Sequence, residues 1–250
     1  MKGRLTLLLA LLVLAWPAVA QDPPDCRVAE HIVETSVRLP QASRAIAGKK
    51  LDIVVVGAGS SALPGPDGAK KAYPARLQEA LAAKLPNVKV TVFTDIKARR
   101  TAAEMLQGLP GQLAAKKPAL LVWQSGTVDA MLSVDIDQYS QALEKGLNIA
   151  RAAGSDVIFV NSQYSPRTES IIALGTYSEA MRWVAVQQEV PVFDRFSIMK
   201  TWADLGTFDL YSATKKLDIA ERVHDCIGRL LAGMIVEASQ TPPSQGMNGR

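Results

Sequence analysis

The residues best placed for chemistry follow a β-branched run. Gly57-Ala58-Gly59-Ser60-Ser61-Ala62 comes directly after Leu51 to Val56. A tight glycine turn at a strand end can present a serine hydroxyl as a nucleophile. The same residues also fit Gly-x-Gly-x-x-Ala, a dinucleotide-binding pattern. Against that reading, Leu63-Pro64-Gly65-Pro66 stands where the phosphate-binding helix should begin. Asp95, the acidic residue ending the second strand, also lies well beyond the roughly 20 positions past Gly59 that the pattern requires. A third reading is a glycine turn with solvated serines.

A nucleophilic serine needs a base, and the chain has two His. His31 lies between apolar neighbours, far from any strand end, and reads as structural. His224 shares a helix face with Ala220, Ile227 and Leu231. Glu221, three residues earlier, is spaced to hydrogen-bond the imidazole and favour one tautomer, better than Asp218 or Asp225. The alternative is a partly buried His paired with a helix-surface Glu.

The elements that would position these groups alternate regularly. Strands are expected at Leu51 to Val56, Val88 to Phe93, Leu120 to Trp123, Val157 to Val160 and Val190 to Phe193. Helices are expected over residues 26–36, 73–85, 101–115 (with Thr101 as cap), 136–153 (closed by Gly154), 177–188 and 217–237. A Gly/Pro-rich loop spans Ala62 to Lys71. Five strands alternating with helices imply an α/β fold, a doubly wound parallel sheet with helices on both faces. Ligands then bind outside the carboxyl ends of the strands.

The chain has 250 residues, 48% hydrophobic and 21% charged, enough apolar surface for one α/β domain and too much for a disordered chain. Two Cys and two His, widely scattered, exclude a disulfide-dense mini-protein and a zinc ribbon, so no metal is expected. Lys2 and Arg4, the apolar stretch Leu5 to Trp16 and Ala18-Val19-Ala20 form a secretory signal pattern over residues 1–20. The apolar run falls short of the roughly 20 residues of a membrane span. No Cys follows the cleavage site, so no lipid anchor is indicated. Cleavage leaves no stable membrane insertion and a periplasmic or secreted chain from residue 21. Without a basic cluster interleaved with aromatics, nucleic acid is not an expected partner. In an oxidising compartment Cys26 and Cys226 read most simply as a disulfide. The domain is expected over 21–237, and residues 238–250, polar with Pro242-Pro243, as a disordered tail.

Three segments carry a family resemblance: Val54-Val55-Val56-Gly57-Ala58-Gly59-Ser60-Ser61, Trp123-Gln124-Ser125-Gly126-Thr127-Val128-Asp129 and Glu221-Arg222-Val223-His224. Asn161-Ser162-Gln163-Tyr164-Ser165-Pro166-Arg167 and Val192-Phe193-Asp194-Arg195-Phe196 support it. Over about residues 50–235 the chain resembles the SGNH or GDSL-type serine hydrolases, and in particular an exported bacterial subgroup. The resemblance implies a three-layer flavodoxin-like fold of about five strands and ester hydrolysis or acyl transfer on a small-molecule or glycan ester, without a cofactor. It implies Ser60 as nucleophile, His224 as base and Glu221 as its orienter. The Ser60 backbone, Gly126 and Gln124 are the oxyanion candidates. Gly57-Ala58-Gly59 stands in the places of the family's Gly-Asp-Ser, with Ser60 one step later. Arg99 falls near the second-block Gly, and Val128 takes the place of the third-block Asn. These departures leave a second expectation, a protein that keeps the fold for binding or scaffolding without the chemistry.

Overall fold

The computed structural model describes residues 26–211 and 217–240. The signal pattern at 1–20 and the part of the expected tail beyond 240 lie outside the described residues. Strands β1 (Lys50–Gly57), β2 (Lys89–Ile96), β3 (Leu120–Gln124), β4 (Asp156–Val160) and β5 (Val192–Phe193) form one sheet in the order β2-β1-β3-β4-β5. Every neighbouring pair is parallel. This is the flavodoxin-like doubly wound order, and its direction reverses between β1 and β3. The α/β fold expected from sequence is therefore the fold found.

Helices cover both faces. In chain order they are α1 (Pro40–Ala47), α2 (Gly68–Lys71), α3 (Tyr73–Lys84), α4 (Ala102–Lys116), α5 (Thr127–Met131), α6 (Ile136–Ala152), α7 (Pro166–Glu169), α8 (Leu174–Gln187), α9 (Arg195–Asp204) and α10 (Leu217–Ser239). The central strands β1, β3 and β4 carry apolar runs that are buried on both sides, whereas the edge strand β2 (KVTVFTDI) is mostly only partly buried. Ile53, Val55, Val122 and Ile158 join Leu77, Leu81, Ile227 and Leu231 in one core. Val54, Val56, Trp123 and Phe159 join Met105, Leu143, Leu147 and Met181 in the other. Thr101 caps α4 in a reciprocal capping box with Glu104.

Residues 26–36 do not form the expected amphipathic helix. A 3-10 turn, Glu30–Ile32, appears there instead. The apolar spacing of Val28, Ile32 and Val33 instead serves a segment lying against the core. The helix in this region is α1, begun by Pro40 in its first turn. The final helix runs two residues past the expected Glu237, so Ala238 and Ser239 belong to it rather than to a tail.

The longest helix, α10, packs on α3 without clearance. At Gly228 an added Cβ would lie 2.6 Å from Arg76 Cβ and 2.8 Å from the Leu77 amide nitrogen. The expected Cys26–Cys226 disulfide is present, with Cα atoms 4.9 Å apart, and fixes the first described residue to the middle of α10. Gly228→Ala is expected to cost about 1–3 kcal/mol through overpacking. It should appear as a lower urea midpoint with an unchanged slope, and an unaltered midpoint would show that α10 can shift away from α3 freely.

Candidate active site

The crevice opens at the carboxyl ends of β1 and β3, where the strand order reverses. After β1, Ser61 N–H bonds Ala58 O and Ala62 N–H bonds Gly59 O, closing a 3-10 turn over Gly59–Ser61. The turn separates the two serines. Ser61 is fully buried, its Oγ 3.2 Å from Tyr73 Oη and 2.9 Å from Gln124 Oε1. Ser60 faces a cavity of about 310 Å³, and its Oγ donates to Gln124 Oε1 at 3.0 Å. Ala58 N–H donates to the same oxygen at 3.3 Å. Three donors around one carbonyl orient the Gln124 amide, leaving Nε2 pointed at Ser125 O.

His224 lines the same cavity from α10. Its Nδ1 accepts the Tyr73 N–H at 2.9 Å. Tyr73 opens α3, and an N–H in a first helical turn has no partner inside its own helix. With Nδ1 accepting, the neutral ring carries its proton on Nε2. Burial, and then the nearby Arg195 charge, hold the imidazole pKa well below the usual histidine range. The expected Glu221–His224 pair does not form. Glu221 Oε1 instead lies 2.7 Å from Lys71 Nζ. The physical reason is the occupied Nδ1, which has no proton to offer a carboxylate.

Two of the oxyanion candidates are committed elsewhere. Gly126 N–H donates to Asp129 Oδ2 at 3.1 Å, while Asp129 Oδ1 takes the Ala102 N–H at 2.9 Å. Gly126 has φ +100°, and an added Cβ would lie 2.8 Å from Ser162 Oγ, so its role is conformational. Gln124 turns its carbonyl oxygen, not its NH₂, toward Ser60. The Ser60 backbone N–H has no acceptor among the described residues. Beside it, Ala98 packs on Gly59, at 3.9 Å from an added Cβ. The next residue, Arg99, holds the left-handed backbone (φ +62°) that a glycine adopts more readily. Arg100 secures this loop through Asp95 and the Gly57 carbonyl. Thr127 also borders the cavity, its Oγ1 buried and without a partner among the described residues.

One central residue was not among the sequence candidates. Arg195 is fully buried, donating to Ser60 O at 2.8 Å and Gln163 Oε1 at 3.0 Å, with its guanidinium 5.6 Å from the Tyr73 ring centre. Burial pushes its pKa down to about 10, so it remains a cation at neutral pH. It stands just past the carboxyl end of β5, a position where a strand-end search would find it.

Residues 25–241 match the model of the non-GDSL lipase-like family. No curated protein matches the chain. Among solved structures, TesA is 25% identical, with a TM-score of 0.58, over 73% of this chain and 99% of its own. A catalytic mutant of Axe2, an acetylxylan esterase from Geobacillus stearothermophilus, is 17% identical with a TM-score of 0.59, over 74% of this chain and 94% of its own. The lipase/acylhydrolase from Enterococcus faecalis is 19% identical with a TM-score of 0.55, over 72% of this chain and 96% of its own.

The lowered His224 pKa links stability to pH. Below about pH 6.5 the unfolded chain takes up a proton that the folded chain refuses, so stability falls as pH drops, by at most about 1.4 kcal/mol per pH unit. His224→Asn keeps an acceptor for Tyr73 N–H and removes the titration. Urea unfolding from about pH 7 down to about pH 5 should show a shallower fall in the variant. Identical slopes would mean that His224 titrates alike in the two states.

Proposed function

We propose that this chain, which belongs to the non-GDSL lipase-like family, is a serine ester hydrolase or acyl transferase working in the Ser60 cavity. The observation that carries the reading is the pairing of the Ser60 hydroxyl and the unengaged Ser60 N–H on one turn, facing a cavity that also holds His224. Ser60 Oγ attacks the acyl carbon, the alcohol departs with a proton, and water releases the acyl group from the serine. The Ser60 N–H receives the charge that develops on the carbonyl oxygen. The Cys26–Cys226 bridge supports a periplasmic or secreted location. Among the described residues no helix is long and apolar enough to cross a membrane. A small-molecule or glycan ester is the substrate class, and the acetylxylan esterase neighbour supports the glycan option.

His224 serves as base only in the tautomer with its proton on Nδ1, and that tautomer requires the Tyr73 N–H bond to open. Giving up a buried hydrogen bond costs about 1–3 kcal/mol, which lowers the rate by roughly five- to 150-fold. Val128 offers no side-chain donor at its position, and one missing oxyanion donor typically costs about 10²–10³ in rate. Turnover is therefore slow. The same bond between Tyr73 and His224 favours a second reading, a binding protein that holds an acyl ligand without cleaving it.

A phosphonate serine probe followed by intact-mass analysis separates the two. The hydrolase reading expects slow labelling of the mature protein, lost in Ser60→Ala and kept in Ser61→Ala. Glu221→Gln should label within a few-fold of wild type, because its carboxylate pairs with Lys71. A wild type that never labels gives the binding reading precedence.

A further inference from the structure

We propose that the cavity beside Ser60 binds a ligand bearing a carboxylate, with Arg195 as its counter-charge. Arginine is almost never fully buried without a paired charge. Arg195 is fully buried, and its partners among the described residues are neutral: a carbonyl oxygen, an amide oxygen and a phenol ring. Its Nε is buried with no hydrogen-bond partner among the described residues. The carboxylate adjacent in sequence, Asp194, is bound to Arg182 at 2.8 Å and to Asn161 Nδ2 at 2.7 Å. Among the described residues no Asp or Glu borders the cavity. The site thus holds one positive charge and lacks one negative charge.

The form of that missing charge follows from the surroundings. A carboxylate brings a single charge and leaves the cavity neutral. A phosphate monoester brings nearly two and would strand the excess in a poorly solvated space. Guanidinium N–H groups also match a carboxylate in planar geometry. Leu63, Met199, Leu210 and Val223 supply apolar wall, and about 310 Å³ admits a short chain. Binding of such a ligand stands whether or not Ser60 turns over. Joined to the hydrolase reading, on which this part rests, it makes the substrate an ester with an anionic end, such as the half-ester of a short dicarboxylic acid.

The test is an NMR titration of the ¹⁵N-labelled mature protein with monomethyl succinate and with methyl levulinate, its near-isosteric neutral counterpart. The anion should bind roughly tenfold or more tightly at low ionic strength. It should also move the slowly exchanging Arg195 Nε–H resonance, which the neutral ester leaves in place. In Arg195→Met the two affinities should converge. Equal affinities in the wild type, or a preference that survives in folded Arg195→Met, overturns the proposal. Should Arg195→Met not fold, the wild-type Nε–H resonance decides, and a resonance unmoved by the anion overturns it. Phosphonate labelling without anion preference would sink this inference alone, and anion binding without labelling would sink only the hydrolase reading.

Discussion

The site is organised around a single buried hydrogen bond, from the Tyr73 N–H to His224 Nδ1. It joins the start of one helix to the side chain of another, and the surrounding packing holds both ends. Gly228 lets α10 approach the Arg76–Leu77 backbone. The Lys71–Glu221 pair ties α2, which directly precedes α3, to the same long helix α10, although a half-exposed pair of this kind adds little energy by itself. The bond satisfies a helix-start donor and fixes the imidazole orientation together. That economy ties the chemistry to the scaffold, because the imidazole cannot change tautomer without uncapping α3.

A second convergence sits at the sheet's switch point. Gln124 Oε1 gathers Ala58 N–H and both serine hydroxyls, so a neutral amide oxygen organises the whole turn. Arg195 donates to the Ser60 carbonyl. Ser60 is held at its hydroxyl and at its carbonyl, while its own N–H has no acceptor among the described residues. Residues that carry donors border the cavity: Ser60, Thr127, His224 and Arg195. Its electrostatic character is that of a receptor for electron-rich groups.

The legible parts of the molecule were those encoded by local pattern. The β-branched runs at Val54-Val55-Val56 and Val157 to Val160 became buried strands, and Thr101 with Glu104 became a capping box. Cys26 and Cys226 paired as their number and the signal pattern indicated. Short helices α5 and α7 escaped because four or five residues carry no measurable period. The stretch at 26–36 misled because apolar residues can face a core at helical spacing without being helical. The partner of Glu221 was illegible for a different reason. Helix spacing identifies neighbours on one helix, whereas Lys71 comes from another part of the chain. Arg195 was visible as a residue but not as a buried cation, because burial is a property of the assembled sheet end.

The Cys26–Cys226 bridge also sets an order of events. The two cysteines stand 200 positions apart. In a chain made from its N-terminus, Cys26 emerges near the beginning and its partner almost last. Correct oxidation must then wait until the helix bearing His224 has been delivered, and any earlier oxidant meets a lone thiol. Covalent closure thereby becomes a completion mark, and a chain arrested halfway stays open, with Cys26 still a free thiol.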